Sequence, residues 1–215
     1  MDIEKIIYTA AVWAIPVIFA ITLHEVAHGW VANKLGDGTA KMLGRLTVNP
    51  IKHIDPIGTI VVPLVMVLMT GFAFGWAKPV PVNARNLKNP RRDMAIVAVA
   101  GPIANVLMAL FWVFFLKFVS MVVTDINIAK GLMAMANAGI IINLVLFVFN
   151  LFPIPPLDGS KVLAGFVPPS VSDILDKIEP YGFFIVLGLL YFGVLSKVLN
   201  PVISFFLHTI NSLFF

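Results

Sequence analysis

Residues 6–23, IIYTAAVWAIPVIFAITL, are almost wholly apolar and run into His24-Glu25-Val26-Ala27-His28 with no turn residue between them. A run of that length suits a membrane-crossing helix, because in hydrocarbon the backbone polar groups must be paired within the segment. Three ionisable side chains at its end therefore sit where charge is costly and usually functional. On a helix His24 and His28 lie one turn apart on one face, so both imidazoles can reach one metal ion. Glu25 then stands beside that metal, where a carboxylate takes a proton from bound water. Chance is a poor explanation. With only 4 His in 215 residues, random HExxH matches are expected on the order of 0.001 times per chain of this composition.

The rest of the chain reads as membrane protein too. Hydrophobic residues make up 60% and charged residues 12%, with a mean hydropathy of +0.97, well outside the soluble globular range. Further apolar runs fall at 57–77, 94–116, 131–152 and 181–196, while 201–215 is shorter and carries His208 and Asn211. The expected fold is an all-α polytopic membrane protein, a single membrane-embedded unit over 1–215 with core motifs in 6–166 and C-terminal membrane helices in 181–215. Met1-Asp2-Ile3-Glu4-Lys5 has mixed charge and no small-residue cleavage site follows, so the first run is expected to be a permanent span. Pro16 is expected to kink it. The absence of cysteine excludes disulfides and thiolate chemistry. A pI near 9.4 does not point to nucleic acid, because the basic residues are scattered through loops, where they contact lipid headgroups and set orientation.

A second constellation closes the 131–152 run, in Asn150-Leu151-Phe152-Pro153-Ile154-Pro155-Pro156-Leu157-Asp158-Gly159. Three prolines in four residues break the helix, and broken backbone at membrane depth survives only where protein or a water-filled cavity satisfies it. Asp158 is either the N-cap of a restarting helix or a third metal ligand. Glu25 and Asp158 are the only acids embedded in apolar segments. Two histidines and one carboxylate leave a tetrahedral zinc one open position, the catalytic rather than the structural pattern.

These elements, together with Gly101-Pro102-Ile103-Ala104-Asn105, resemble the site-2 protease family of intramembrane zinc metalloproteases. HEVAH matches its HExxH, Asn150 to Gly159 its proline-containing LDG motif, and GPIAN its third core element. They follow in family order across 24–159. The resemblance implies a three-helix catalytic core with peripheral helices, one Zn2+ per chain, and cleavage of transmembrane protein substrates in or near the bilayer. No PDZ or CBS domain is visible, and KHIDPIGTIVVP and FGWAKPVPVN are similar to the compact prokaryotic members.

On this reading His24, His28 and Asp158 hold zinc and Glu25 is the base. Asn150 and Asn105 donate hydrogen bonds to substrate or oxyanion, with helix packing an equal alternative for Asn105. Asn143 fits a helix–helix hydrogen bond, His53 an interfacial loop, and His208 a headgroup-facing position. Short β strands are expected in the loops, with Pro79, Val80, Pro81 and Val82 as an edge that holds an unwound substrate extended. Because His24 and Asp158 must meet at one depth, 57–77 is expected to be re-entrant, which puts loops 34–56 and 78–93 on one basic, cytoplasmic face of the cell membrane with the site nearer that side. Two other classes share the ligands. A divalent-cation transporter needs more carboxylates along its path, and a catalytically dead chaperone or scaffold tolerates loss of Glu25 or Asp158.

Overall fold

The structure is a computed structural model and describes residues 3–62, 64–66 and 75–214. Three helices are long and apolar enough to cross a membrane: α1 (Ile3–Lys34), α3 (Pro90–Val122) and α4 (Ile126–Asn150). A short α2 (Thr39–Met42) lies between the first two. After α4 come α5 (Asp158–Phe166), α6 (Pro169–Ile178), α7 (Gly182–Tyr191) and α8 (Val194–Phe214).

Helices α1, α3 and α4 pack against one another, and α5 packs on α3. Small side chains allow this. The inward face of α3 carries Ala95, Ala98, Ala100, Gly101, Asn105 and Ala109, and that of α4 carries Ala129, Ala136, Ala138 and Gly139, all buried. Between apolar helices in lipid, close backbone approach and buried polar pairs drive association, since burying hydrocarbon against hydrocarbon gains little. The outward face of α3 is large and apolar: Ile103, Leu107, Phe111, Phe114 and Phe118 are each more than half exposed. In water such a belt would aggregate; in a bilayer it is the wetted surface.

Two apolar clusters flank the bundle. Trp112 and Val113 of α3 pack with Ile140 and Leu144 of α4 and with Phe206 and Ile210 of α8. Val148, Leu157, Val186, Leu195 and Leu199 tie the end of α4 to α7 and α8. The apolar run at 181–196 is not one span. It breaks at Phe192–Gly193, where Gly193 has φ +68°, a left-handed conformation that ends helices and suits glycine. The α6–α7 arm and α8 are bent by 74° there. Residues 201–214, from the short run whose sequence left open a last hairpin or a place along the interface, belong to the 21-residue α8. Pro16 is buried inside α1.

No β strand forms among the described residues, which corrects the expectation of short strands in the loops. The extended 75–83 segment has no ladder partner, and Pro79 and Pro81 lack the N–H that a ladder needs. The middle of the 57–77 run lies outside the described residues, but its two ends lie together. Lys78 N–H donates to His53 O at 2.9 Å, Trp76 N–H to Gly58 O at 3.0 Å, and Thr59 Oγ1 to Trp76 O at 2.9 Å.

Candidate metal centre

His24 and His28 sit one turn apart on α1, both buried. Across from them, the chain leaves α4 at Asn150, passes through the proline-rich break and restarts as α5 at Asp158. The helix cap position is Leu157, and no side chain caps the helix. Asp158 is therefore not an N-cap: its carboxylate turns to the histidines. Its Oδ2 lies 3.1 Å from His24 Nε2 and 3.3 Å from His28 Nε2, and the two Nε2 atoms are 3.0 Å apart.

The protons explain what this triangle is for. His28 Nδ1 is 2.7 Å from Val97 O, and a carbonyl only accepts, so that nitrogen carries the hydrogen. His24 Nδ1 is 2.6 Å from Asn105 Oδ1. The Asn105 amide faces are fixed in turn, because its Nδ2 donates to Asn143 Oδ1 at 2.9 Å and to Ala20 O at 3.3 Å. Asn143 Nδ2 donates to Gly139 O within α4. A chain of hydrogen bonds thus runs from the α4 backbone to the His24 ring and leaves both Nε2 atoms as bare lone pairs. Asp158 Oδ2 is buried without a hydrogen-bond donor. Three acceptors pointing at one spot repel unless a cation stands among them. Ligand atoms about 2.0–2.1 Å from a tetrahedral zinc stand roughly 3.3–3.4 Å apart, close to the spacings found. The three residues fit one metal ion.

Glycine makes the approach possible. A Cβ at Gly101 would stand 2.6 Å from both His24 Cε1 and His28 Cε1, so the first residue of GPIAN lets the α3 backbone lie against the imidazoles. At Gly159 a Cβ would meet the Leu151 and Phe152 main chain, so the residue after Asp158 cannot bear a side chain.

Glu25, half-buried, stays out of the triangle. Its Oε2 accepts a hydrogen bond from Val80 N–H at 2.7 Å, which brings the 79–82 segment against HEVAH. Pro81 and Val82 are half-buried and Pro79 is exposed.

Other expected residues fall elsewhere. Asn105 is fully buried with both amide hydrogens engaged, which leaves it no free donor for an oxyanion, and its Oδ1 accepts from the His24 ring. Asn143 makes the expected interhelical bond. Asn150 turns its Nδ2 back to Leu146 O at 2.9 Å. His53 is 2% exposed and donates from Nε2 to Thr47 O. His208 is exposed. The Val97 carbonyl, and the Val80 N–H as a partner of Glu25 rather than of substrate, were missed by sequence reasoning, because any residue offers those groups.

No family model matches the chain, and no solved structure matches it. Curated proteins do. The protein named "Putative zinc metalloprotease YwhC" from Bacillus subtilis is 43% identical over 192 residues, covering 88% of this chain and 84% of that one. "Putative zinc metalloprotease Rip2" from Mycolicibacterium smegmatis is 29% identical over 183 residues, covering 84% and 66% respectively. Rip2 of Mycobacterium tuberculosis H37Rv is 26% identical over 176 residues. With 43% identity across most of both chains, the protein belongs to the zinc metalloprotease family of YwhC.

Proposed function

We propose that the protein is an intramembrane endopeptidase of the site-2 protease type, which hydrolyses peptide bonds of transmembrane substrates in or near the bilayer with one zinc ion per chain. The observation that carries this reading is the buried triangle of two imidazole lone pairs and one carboxylate oxygen, 3.0–3.3 Å on a side, held among apolar helices. His24, His28 and Asp158 would hold the ion, which when bound supplies a Lewis acid for the scissile carbonyl and for water.

The chain's own residues do the rest. Glu25 is the base: its carboxylate takes a proton from the attacking water and returns it to the leaving amine. Val97 O and Asn105 Oδ1 hold the imidazoles in the tautomer that leaves Nε2 free, as partners of ligand histidines usually do. The extended Pro79–Val82 segment lies beside Glu25 and would border the path of an unwound stretch of substrate main chain. Its flanking prolines keep it from folding back into a helix. A groove of about 670 Å3, lined by Ala27, Val31, Ala95, Val99 and Ala104 of α1 and α3 and by Gly165 of α5, gives a transmembrane segment an apolar approach beside the site.

The test is cleavage of a model transmembrane peptide by purified protein, with metal content measured in parallel. About one zinc per chain and cleavage abolished by Glu25→Gln are expected. Full zinc with no cleavage of any transmembrane peptide, or unchanged turnover in Glu25→Gln, would overturn the reading. Zinc movement across vesicles without cleavage would favour a transporter.

A further inference from the structure

Arg45 plays no part in the chemistry above. It is 8% exposed, so it is not one of the headgroup-facing basic residues that the composition led us to expect. Among the described residues no carboxylate pairs with it, and its Nε is buried without a partner. A guanidinium taken out of water with no counter-charge is costly. What it has instead are main-chain oxygens: Nη2 donates to Lys78 O at 2.9 Å and to Pro79 O at 3.4 Å.

Those two carbonyls immediately precede Val80, whose N–H reaches Glu25 Oε2 at 2.7 Å. The lever between them is stiff. Proline fixes φ at 79 and 81, and the residue before a proline is itself confined to extended backbone. Val80 is the only residue of 79–81 with an N–H. Fixing the 78 and 79 carbonyls therefore fixes the direction of the one donor that faces Glu25. The far end of the segment is held separately, where Asp37 accepts from Asn83 N–H at 2.7 Å and from Asn86 Nδ2 at 2.9 Å.

We infer that Arg45 is a positioning residue for Glu25, which clamps the Lys78 and Pro79 carbonyls so that Val80 N–H holds the carboxylate in its working orientation. This rests on Glu25 being the base.

The test uses the full chain in detergent micelles, a transmembrane peptide substrate and four variants: Arg45→Met, Arg45→Lys, Val80→Pro and Glu25→Gln. Val80→Pro deletes the N–H at a position already extended. Arg45→Met should keep its zinc and lose about 10–100-fold in kcat with KM within about twofold, the signature of an interaction needed in the transition state. Arg45→Lys should recover part of the loss. Val80→Pro should lose kcat similarly, and combining it with Arg45→Met should add little, because both remove one coupled interaction. Parental kcat in Arg45→Met, or losses that multiply in the double variant, would overturn the clamp. If Arg45→Met does not fold, Arg45→Lys decides: lower kcat at constant KM supports the clamp, and unchanged kcat overturns it. Near-parental turnover in Glu25→Gln would instead overturn the base reading itself, whereas an inactive Glu25→Gln beside a fully active Arg45→Met overturns the clamp alone.

Discussion

Each of the two clustered histidines has one ring nitrogen tied to the protein and the other left bare, and the ties differ in kind. His28 is held by a backbone carbonyl, which mutation cannot remove. His24 is held by Asn105, which it can. Asn105→Leu is close in volume but deletes the acceptor, so the His24 ring is free to turn and Asn143 Oδ1 loses its donor. Metal affinity should fall ~10–100-fold, the usual cost of losing a partner of a ligand histidine, as read by competition with a chromogenic chelator. Unchanged affinity would remove the orienting role. Gly101→Ala should lose metal by another route, since its methyl would displace both rings; helical circular dichroism should persist while bound zinc is lost. At this scale the residues that the structure brings together, His24, His28 and Asp158, are those that spacing and chemistry single out, in HEVAH and in an aspartate after a proline break. It was ambiguous for Asn105, because asparagine packs helices and binds ligands with the same amide, and only its partners decide.

Between the long helices, small elements carry the site and are held by side chains from elsewhere. Arg91 of α3 donates through Nη2 to Ala164 O and Val167 O, satisfying end carbonyls of the short helix whose first residue is Asp158. Asp37 holds the turn after the extended segment in the opposite sense, accepting from Asn83 N–H and Asn86 Nδ2. Burial pushes its carboxyl up, but donors from Thr39, Asn86 and the Asn83 backbone outweigh this and hold it below its ordinary value. A depressed carboxyl pKa means that the unfolded chain binds the proton more readily than the native one. Asp37 therefore contributes stability in full above pH ~4, the unfolded value, and loses it as pH falls through the lower native value. Asp37→Asn should be less stable than the parent at neutral pH, and the gap in thermal midpoint should narrow as pH drops below ~4. A gap independent of pH would show that the carboxylate's charge is not what holds the turn. None of this was legible beforehand: a basic residue looks alike whether it faces water or grips a distant carbonyl, and an acidic one whether it faces water or receives a distant N–H. The expected β edge failed for a readable reason, since alternating prolines favour extension but withhold the donors that make a strand.

The whole molecule must bring His24 and Asp158, on different helices, to one depth, and this constrains how 57–77 crosses or does not cross. A full crossing would turn α1 and α4 antiparallel and separate the ligands by ~20 Å or more, against the 3.1 Å found. The bonds from His53 to Lys78 and from Gly58 to Trp76 agree, since they tie the start of that run to its end. The long spans were legible because apolar length is nearly sufficient evidence for a membrane helix, whereas the 74° break was hidden in Phe192-Gly193, a pair that occurs in unbroken spans as well. Loops 34–56 and 78–93 should therefore share one face, and the excess of basic residues on that face predicts that it is the cytoplasmic one. The chain has no cysteine, so single cysteines can be read directly. Placed at Lys52 and Lys88, both exposed, they should be shielded from a membrane-impermeant maleimide in intact cells and react in inverted vesicles. One at Lys130, exposed near the start of α4, should do the opposite. Lys52 and Lys88 reacting from opposite sides would refute the re-entrant path. Both reacting from outside would keep the path and reverse the orientation, placing the metal centre nearer the outer face.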